Sequence, residues 1–237
     1  MRLSQRLEVI YSFIREGDRV ADIGSDHGYI PLKLIEDGIS DYIVLVDISK
    51  DSLKKGRDNI ERFTKESNAH VDYRLGDGLK VIDFGEVDDV IIAGMGGRLI
   101  VDILRDDINK THSFGKLILQ PRNHSGELRY WLYKNGYNIT RDILVRENRH
   151  IPEIIVAEKG LSSVNVEELK DSSVELEVPL HMCENDKEIL SDFLERKVRK
   201  TEIVLDNLKK SNTLNINMIK EYEYRLKYLR FFLKRVI

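Results

Sequence analysis

Apolar residues recur along this chain in two rhythms, and their alternation predicts the fold. Leu3, Leu7, Ile10 and Ile14 stand 4-3-4 apart, the stripe of an amphipathic helix that Gly17-Asp18 ends. Residues 20–23 read as a short buried strand, and a glycine-flanked turn leads from it into a helix. Pro31 suits the first turn of that helix and Gly38 closes it. Residues 42–46 are an unbroken apolar run, as expected of a strand buried on both faces. Ser49 is placed to cap a helix whose inner face holds Leu53, Gly56, Ile60 and Phe63. Residues 71–75 form a weaker strand, closed by Gly76-Asp77-Gly78. Residues 90–93 form a buried one, followed by Gly94-Met95-Gly96-Gly97. A short helix is predicted over 100–104 and a strand over 117–119. Ser125 is placed to cap a helix carrying Leu128, Trp131 and Leu132, which Gly136 stops. Two final strands are predicted over 139–145 and 154–157. Seven strands alternating with helices predict an α/β fold: a mostly parallel sheet covered on both faces, its last two strands antiparallel at one edge.

From about residue 184 the strand rhythm stops. Leu190, Leu194, Val198, Leu205 and Leu208 make one helical stripe, and Ser211-Asn212-Thr213 interrupts it. Ile219, Tyr222, Leu226, Leu229 and Leu233 follow at 3-4-3-4, a heptad seam. Two antiparallel helices in a coiled-coil hairpin are predicted. The chain thus divides into a sheet domain over 1–160, a connecting segment over 161–183 and a helical domain over 184–237.

Composition adds limits. The 237 residues, 41% hydrophobic and 33% charged, fit a soluble globular protein with one sizeable core and an appendage. No apolar run approaches the ~20 residues that cross a bilayer, and Met1-Arg2-Leu3-Ser4-Gln5 lacks a signal peptide's apolar core. No membrane partner is expected. The single cysteine, Cys183, excludes an internal disulfide and a cysteine-cluster metal site, and a reducing cytoplasm fits best. No metal is expected. The net charge of −3 hides an asymmetry: residues 184–237 carry 13 Lys and Arg against 9 Asp and Glu, on an otherwise acidic body. A basic tail points to a polyanionic partner, although a lysine-rich surface helix alone is commonplace.

The most chemically informative stretch is Val20-Ala21-Asp22-Ile23-Gly24-Ser25-Asp26-His27-Gly28-Tyr29-Ile30-Pro31. A strand, a glycine turn and a helix start form the place where an open α/β sheet holds a nucleotide-like ligand. The dinucleotide fingerprint needs Gly-x-Gly-x-x-Gly, so that backbone can approach a pyrophosphate. Here Asp26 stands where the second glycine belongs. Carboxylates at Asp22 and Asp26 suit a ligand with an ammonium and a sulfonium, which is S-adenosylmethionine. Asp47, at the tip of the next strand, can accept hydrogen bonds from both ribose hydroxyls. Asp77, in the turn after the third strand, can accept from the adenine amine. The cofactor set is Asp22, Gly24, Ser25, Asp26, Gly28, Tyr29, Asp47, Ile48, Asp77, Gly78, Ala93, Gly94 and Met95.

The glycines at 94, 96 and 97 let backbone approach a ligand and should line the methyl-transfer site. Enzymes that methylate an exocyclic base amine usually carry an Asn/Asp-Pro-Pro-aromatic segment here, which this chain lacks. An endocyclic nitrogen such as adenine N1 has an in-plane lone pair and can attack without first losing a proton, so proximity and alignment carry much of the catalysis.

Residues 20–31, Asp47, Gly76-Asp77-Gly78, Ala93-Gly94-Met95-Gly96-Gly97, Leu119-Gln120-Pro121 and the helical tail together resemble the bacterial tRNA adenine-N1 methyltransferase family that modifies position 22 in the D-arm. The resemblance covers essentially the whole chain. It implies a class I Rossmann-like methyltransferase domain, S-adenosylmethionine as donor, a C-terminal coiled-coil domain that helps bind tRNA, and a monomer. Asp26 and His27 are the candidates nearest catalysis, with no general base assigned. The substrate-binding candidates are Gly96, Gly97, Arg98, Arg122, Asn123, His124, Arg149, Arg196, Lys197, Arg199 and Lys200, with Arg146 and His150 beside them. Two rivals stand beside this reading: an S-adenosylmethionine enzyme acting on another substrate, and a non-catalytic RNA-binding protein with a degenerate pocket.

Overall fold

The structure, a computed structural model, describes residues 1–25, 27–63, 68–162, 164–165, 167, 169–211 and 215–236. Strands β1 (Val20–Ile23), β2 (Tyr42–Asp47), β3 (His70–Leu75), β4 (Asp89–Met95), β5 (Lys116–Pro121), β6 (Tyr137–Leu144) and β7 (Glu153–Lys159) form one sheet in the order β3-β2-β1-β4-β5-β7-β6. Pairing is parallel from β3 through to β5. β7 then runs antiparallel to both β5 and β6, leaving β6 outermost. The chain winds outward from β1 to β3 and then crosses back to β4. That reversal opens a crevice at the carboxyl ends of β1 and β4, where neighbouring helices diverge.

The unbroken apolar strands have a direct cause. Successive side chains point to opposite faces, and both faces are covered. Val44, Val46, Ile92 and Leu119 join a core under α4 (Gly97–Arg105), the short α5 (Ile108–Thr111) and α6 (Ser125–Lys134). Ile43, Leu45, Ile91 and Ile118 join a second core under α1 (Gln5–Tyr11), α2 (Tyr29–Glu36) and α3 (Lys50–Phe63). Ile43 to Val46 are all fully buried, and each such side chain contributes ~1.5–3 kcal/mol over an exposed one. Two local expectations change. Phe63 is 61% exposed rather than inward, because it is the last residue of α3 and has passed the edge of the sheet. Ser125 is the first residue of α6 rather than its cap; left-handed His124 precedes it, and the Ser125 hydroxyl donates to Glu153 instead.

After β7, α7 (Val174–Glu177) packs on α6. The long helices α8 (Lys187–Lys210) and α9 (Ile216–Val236) then form a hairpin; Asn212 and Thr213 of the expected interruption lie outside the described residues. Its direction is read from two ion pairs, Arg230–Glu202 and Lys209–Glu223, whose partners run oppositely along the two helices. A third core joins hairpin to body: Leu190, Leu194, Leu229 and Phe232 pack with Val178, Met182 and Leu144 of β6. Beside it lies a buried charge cluster. The Arg129 guanidinium is fully buried and donates to Asp142 at 2.8 Å twice and to Glu153 at 2.8 Å. It also reaches the Leu176 and Glu177 carbonyls, and so ties α6, β6, β7 and α7 together.

Candidate functional site

The switch point carries a cleft of about 640 Å³. One wall is the turn after β1. Gly24 and Gly28 both adopt left-handed φ, +77° and +63°, which L side chains rarely adopt. A Cβ on Gly24 would also meet the Met95 methyl group, the end of a flexible side chain, so the left-handed φ is what calls for glycine there. Met95 is packed down on the turn. At the floor, Asp22 is nearly fully buried and accepts from Ser25. Burial pushes its carboxyl up to about 6, the nearby Asp47 adds to the rise, and Ser25 opposes it. No cation is paired with Asp22 among the described residues. An acid held this way lacks a counter-charge that a cationic ligand would supply.

Asp47 ends β2 one residue beyond the Ile23–Val46 pair, and its carboxylate accepts from the Ser49 amide at 2.8 Å. Ile48 is 76% exposed beside it. Gly78 opens the short turn after β3, and Asp77 precedes it with its carboxylate paired to Lys80 at 2.5 Å. An adenine amine at Asp77 must share that carboxylate with Lys80. Tyr29 and His27 are both exposed at the rim, their rings stacked 5.1 Å apart and 15° from parallel. Asp26 lies outside the described residues. The residues present fit S-adenosylmethionine: a left-handed glycine turn, a buried acid with no cation paired to it among the described residues, and a second acid at the tip of β2.

The end of β4 and the glycines beyond it run beside the turn after β1. A bulge falls between Ala93 and Met95, and the Gly94 amide donates to the Gln120 side chain at 3.1 Å. A Cβ on Gly97 would stand 2.6 Å from the Asn123 and His124 carbonyls, so the start of α4 lies directly on the loop after β5. Gly96 borders the Asn123 side chain in the same way.

Two residues that sequence patterns did not single out, Arg6 and Glu147, complete the cleft. Arg6 of α1 donates to Gln120 at 3.2 Å and to Glu147, in the β6–β7 loop, at 3.1 Å. Both Arg6 and Glu147 line the cleft, with Met1 to Ser4 beside them. No local signal could reveal this, because the partners lie 114 and 141 residues apart.

The basic candidates do not form one surface. Arg122, Asn123 and His124 are exposed and line a second cleft of about 440 Å³ between the body and the hairpin, with Lys197 and Lys200. Arg98 pairs with Glu127 at 2.6 Å. Arg196 pairs with Asp192 and donates to the Arg149 carbonyl, while Arg146 also holds Asp192 and Arg149 reaches His150. Arg199 lies 3.9 Å from Glu195. Lys197 turns inward onto Glu177 at 2.5 Å, and burial pushes its ammonium down. Consecutive helix positions are about 100° apart, so a run of cations in sequence is spread around α8 rather than gathered on one face.

The comparisons with known proteins agree with this geometry. Residues 3–155 match the family model described as a methyltransferase domain. A tRNA (adenine(22)-N(1))-methyltransferase of Bacillus subtilis is 36% identical over 160 residues, which span 68% of this chain and 66% of that protein. The crystal structure of the B. subtilis M1A22 tRNA methyltransferase TrmK superposes with a TM-score of 0.79 at 30% identity, covering 100% of this chain and 99% of that one. A Streptococcus pneumoniae protein, provisionally assigned as a tRNA (m1A22) methyltransferase and crystallised with S-adenosyl-L-methionine, gives a TM-score of 0.80 at 27% identity over 98% and 100%. The likeness in fold thus runs along essentially the full length, and the chain belongs to the methyltransferase-domain family, in the group of the tRNA (adenine-22) N1-methyltransferases.

Proposed function

We propose that this protein methylates N1 of adenine 22 in tRNA, with S-adenosylmethionine as donor. The observation that carries it is the cleft at the switch point, whose floor is the Asp22 carboxylate, with no cation paired to it among the described residues, and which Ala93 and Gly94 at the end of β4 also line. Asp22 and Ser25, with the turn to Gly28, would hold the methionine end, Asp47 the ribose and Asp77 the adenine amine. The bound cofactor supplies an electrophilic methyl group. The protein's part is to align that group with a flipped-out adenine and to exclude water, since N1 needs no deprotonation before attack. His27 and Tyr29 offer a stacked aromatic ledge at the rim for a base. Arg122, His124 and Lys200, around the second cleft, would meet phosphates. Among the described residues, no helix is long and apolar enough to cross a membrane. We further propose a cytoplasmic monomer that needs no metal.

The test is to incubate the purified protein with labelled cofactor and unmodified tRNA and to map the modified nucleoside by mass spectrometry. Label at adenine 22 as 1-methyladenosine is expected; label elsewhere, or none, would overturn the assignment. RNA affinity should also fall steeply as salt rises, because phosphate contacts release counterions.

A further inference from the structure

A second carboxylate, on the β6–β7 loop, lines the same cleft as the cofactor turn. Among the described residues lining that cleft, the acids are Asp22 and Glu147. Asp22 is buried beneath the turn, whereas Glu147 is partly exposed on the β6–β7 loop. Its position is over-determined. Arg6 donates to it, Ser4 also hydrogen-bonds it, and Arg6 continues to Gln120, which accepts from the Gly94 amide. A single hydrogen-bonded chain therefore runs from Glu147 to the glycine loop. Arg6 gives its Nε–H to Glu147 and an Nη1–H to Gln120, and the Glu147 carboxylate itself offers a base only acceptor atoms.

Adenine has a specific need for such a group. Its N1 lone pair must stay free, so a donor beside N1 would block attack. The neighbouring N6 amine is a donor, and an acceptor there orients the ring without competing for N1. As the new N–C bond forms from the N1 lone pair, the electrons of the methyl–sulfur bond remain on sulfur. The positive charge passes to the base and spreads onto N6. An anion at N6 is then favoured more in the transition state than before it. Guanine would present its O6 acceptor to the same carboxylate and be repelled.

We infer that Glu147, held by Arg6 and Ser4, accepts a hydrogen bond from the N6 amine of the target adenine, selecting the base and stabilising the charge it acquires. This rests on the proposed methylation of adenine N1. The experiment pairs wild type, Glu147→Ala and Glu147→Gln with two ligated tRNAs, one bearing adenosine at position 22 and one bearing purine riboside, which lacks the amine. Single-turnover rates are measured, with cofactor affinity by calorimetry. On adenosine tRNA, Glu147→Ala should be ~10- to 100-fold slower, as for a lost hydrogen bond to a charged group, and Glu147→Gln should lose less. On purine tRNA, wild type and Glu147→Ala should agree within ~3-fold, since the partner group is gone from both. Cofactor affinity should be unchanged. Equal slowing on both tRNAs, or lost cofactor affinity, would overturn the role of Glu147 while wild-type activity stands. A wild type that leaves adenosine 22 unmethylated would overturn the function and this role together.

Discussion

Two buried carboxylates, Asp22 and Asp142, lie in one sheet and meet opposite fates. Asp142 is fully enclosed, and burial would raise its carboxyl, yet the Arg129 guanidinium and a hydrogen bond to His181 hold it below the usual carboxylate range. Asp22 is equally enclosed, with Ser25 its hydrogen-bond partner and no cation beside it among the described residues, and burial raises its carboxyl to about 6. At 1.36 kcal/mol per unit, that rise corresponds to about 3 kcal/mol of unfavourable ionisation. The first site is complete without a ligand, and its charges join elements. The second is incomplete, and its missing counter-charge is the signature of a binding site.

The comparison can be broken most forcefully at Arg129. Arg129→Met leaves Asp142 and Glu153 buried without their cation, and should cost ~3–5 kcal/mol in denaturant unfolding. A variant as stable as wild type would show that the cluster is not structural. Asp22→Asn should act in reverse. It removes an unfavourable charge, so the protein should be ~1–3 kcal/mol more stable at neutral pH while cofactor affinity measured by calorimetry falls. Lost stability with unchanged affinity would erase the contrast.

The pH dependence sharpens it further. The Asp22 carboxyl is raised in the fold, so its contribution to stability is fully present below about 3.8 and is lost as pH rises through about 6. The Asp142 carboxyl is lowered, so its contribution is present above the ordinary carboxylate pKa and is lost as pH falls through its lower folded value. Cofactor affinity should accordingly weaken by up to ~10-fold per pH unit below about 6 in wild type, and this slope should be absent in Asp22→Asn. The smallest effect belongs to Arg98→Ala. Its exposed pair with Glu127 should leave the melting temperature unchanged, and any loss should fall on tRNA affinity alone.

The structure also changes how the hairpin can be tested. Cutting the chain near residue 183 would strip Leu190, Leu229 and Phe232 from Leu144, Val178 and Met182, and so expose a core of the body. Reversing single exposed charges such as Lys200 tests RNA binding without that damage.

Much of the fold was legible because its cause is local. Val20–Ile23, residues 42–46 and the glycines at 24 and 28 announce strand, turn and helix through periodicity and backbone needs that neighbouring residues satisfy. The acids at 22 and 47 were readable as a pair for the same reason: parallel register brings successive strand tips to one level. Charge partners were not readable. Nothing near Arg129 in sequence shows that it is buried against β6 and β7, and nothing near Lys197 shows that Glu177 already holds it; Arg196 differs, since its partner Asp192 stands one helical turn away. Arg6 reads as a surface residue on an ordinary amphipathic helix, whereas the fold lays it between Gln120 and Glu147.

By itself, then, the sequence determined the layered sheet, the position of its switch point and the acidic cofactor turn, since each follows from spacing along the chain. Only the tertiary structure decided which charges are spent on one another and which still face the cleft. Coulombic pairing depends on separation in space, and folding alone sets that separation for residues more than a hundred positions apart.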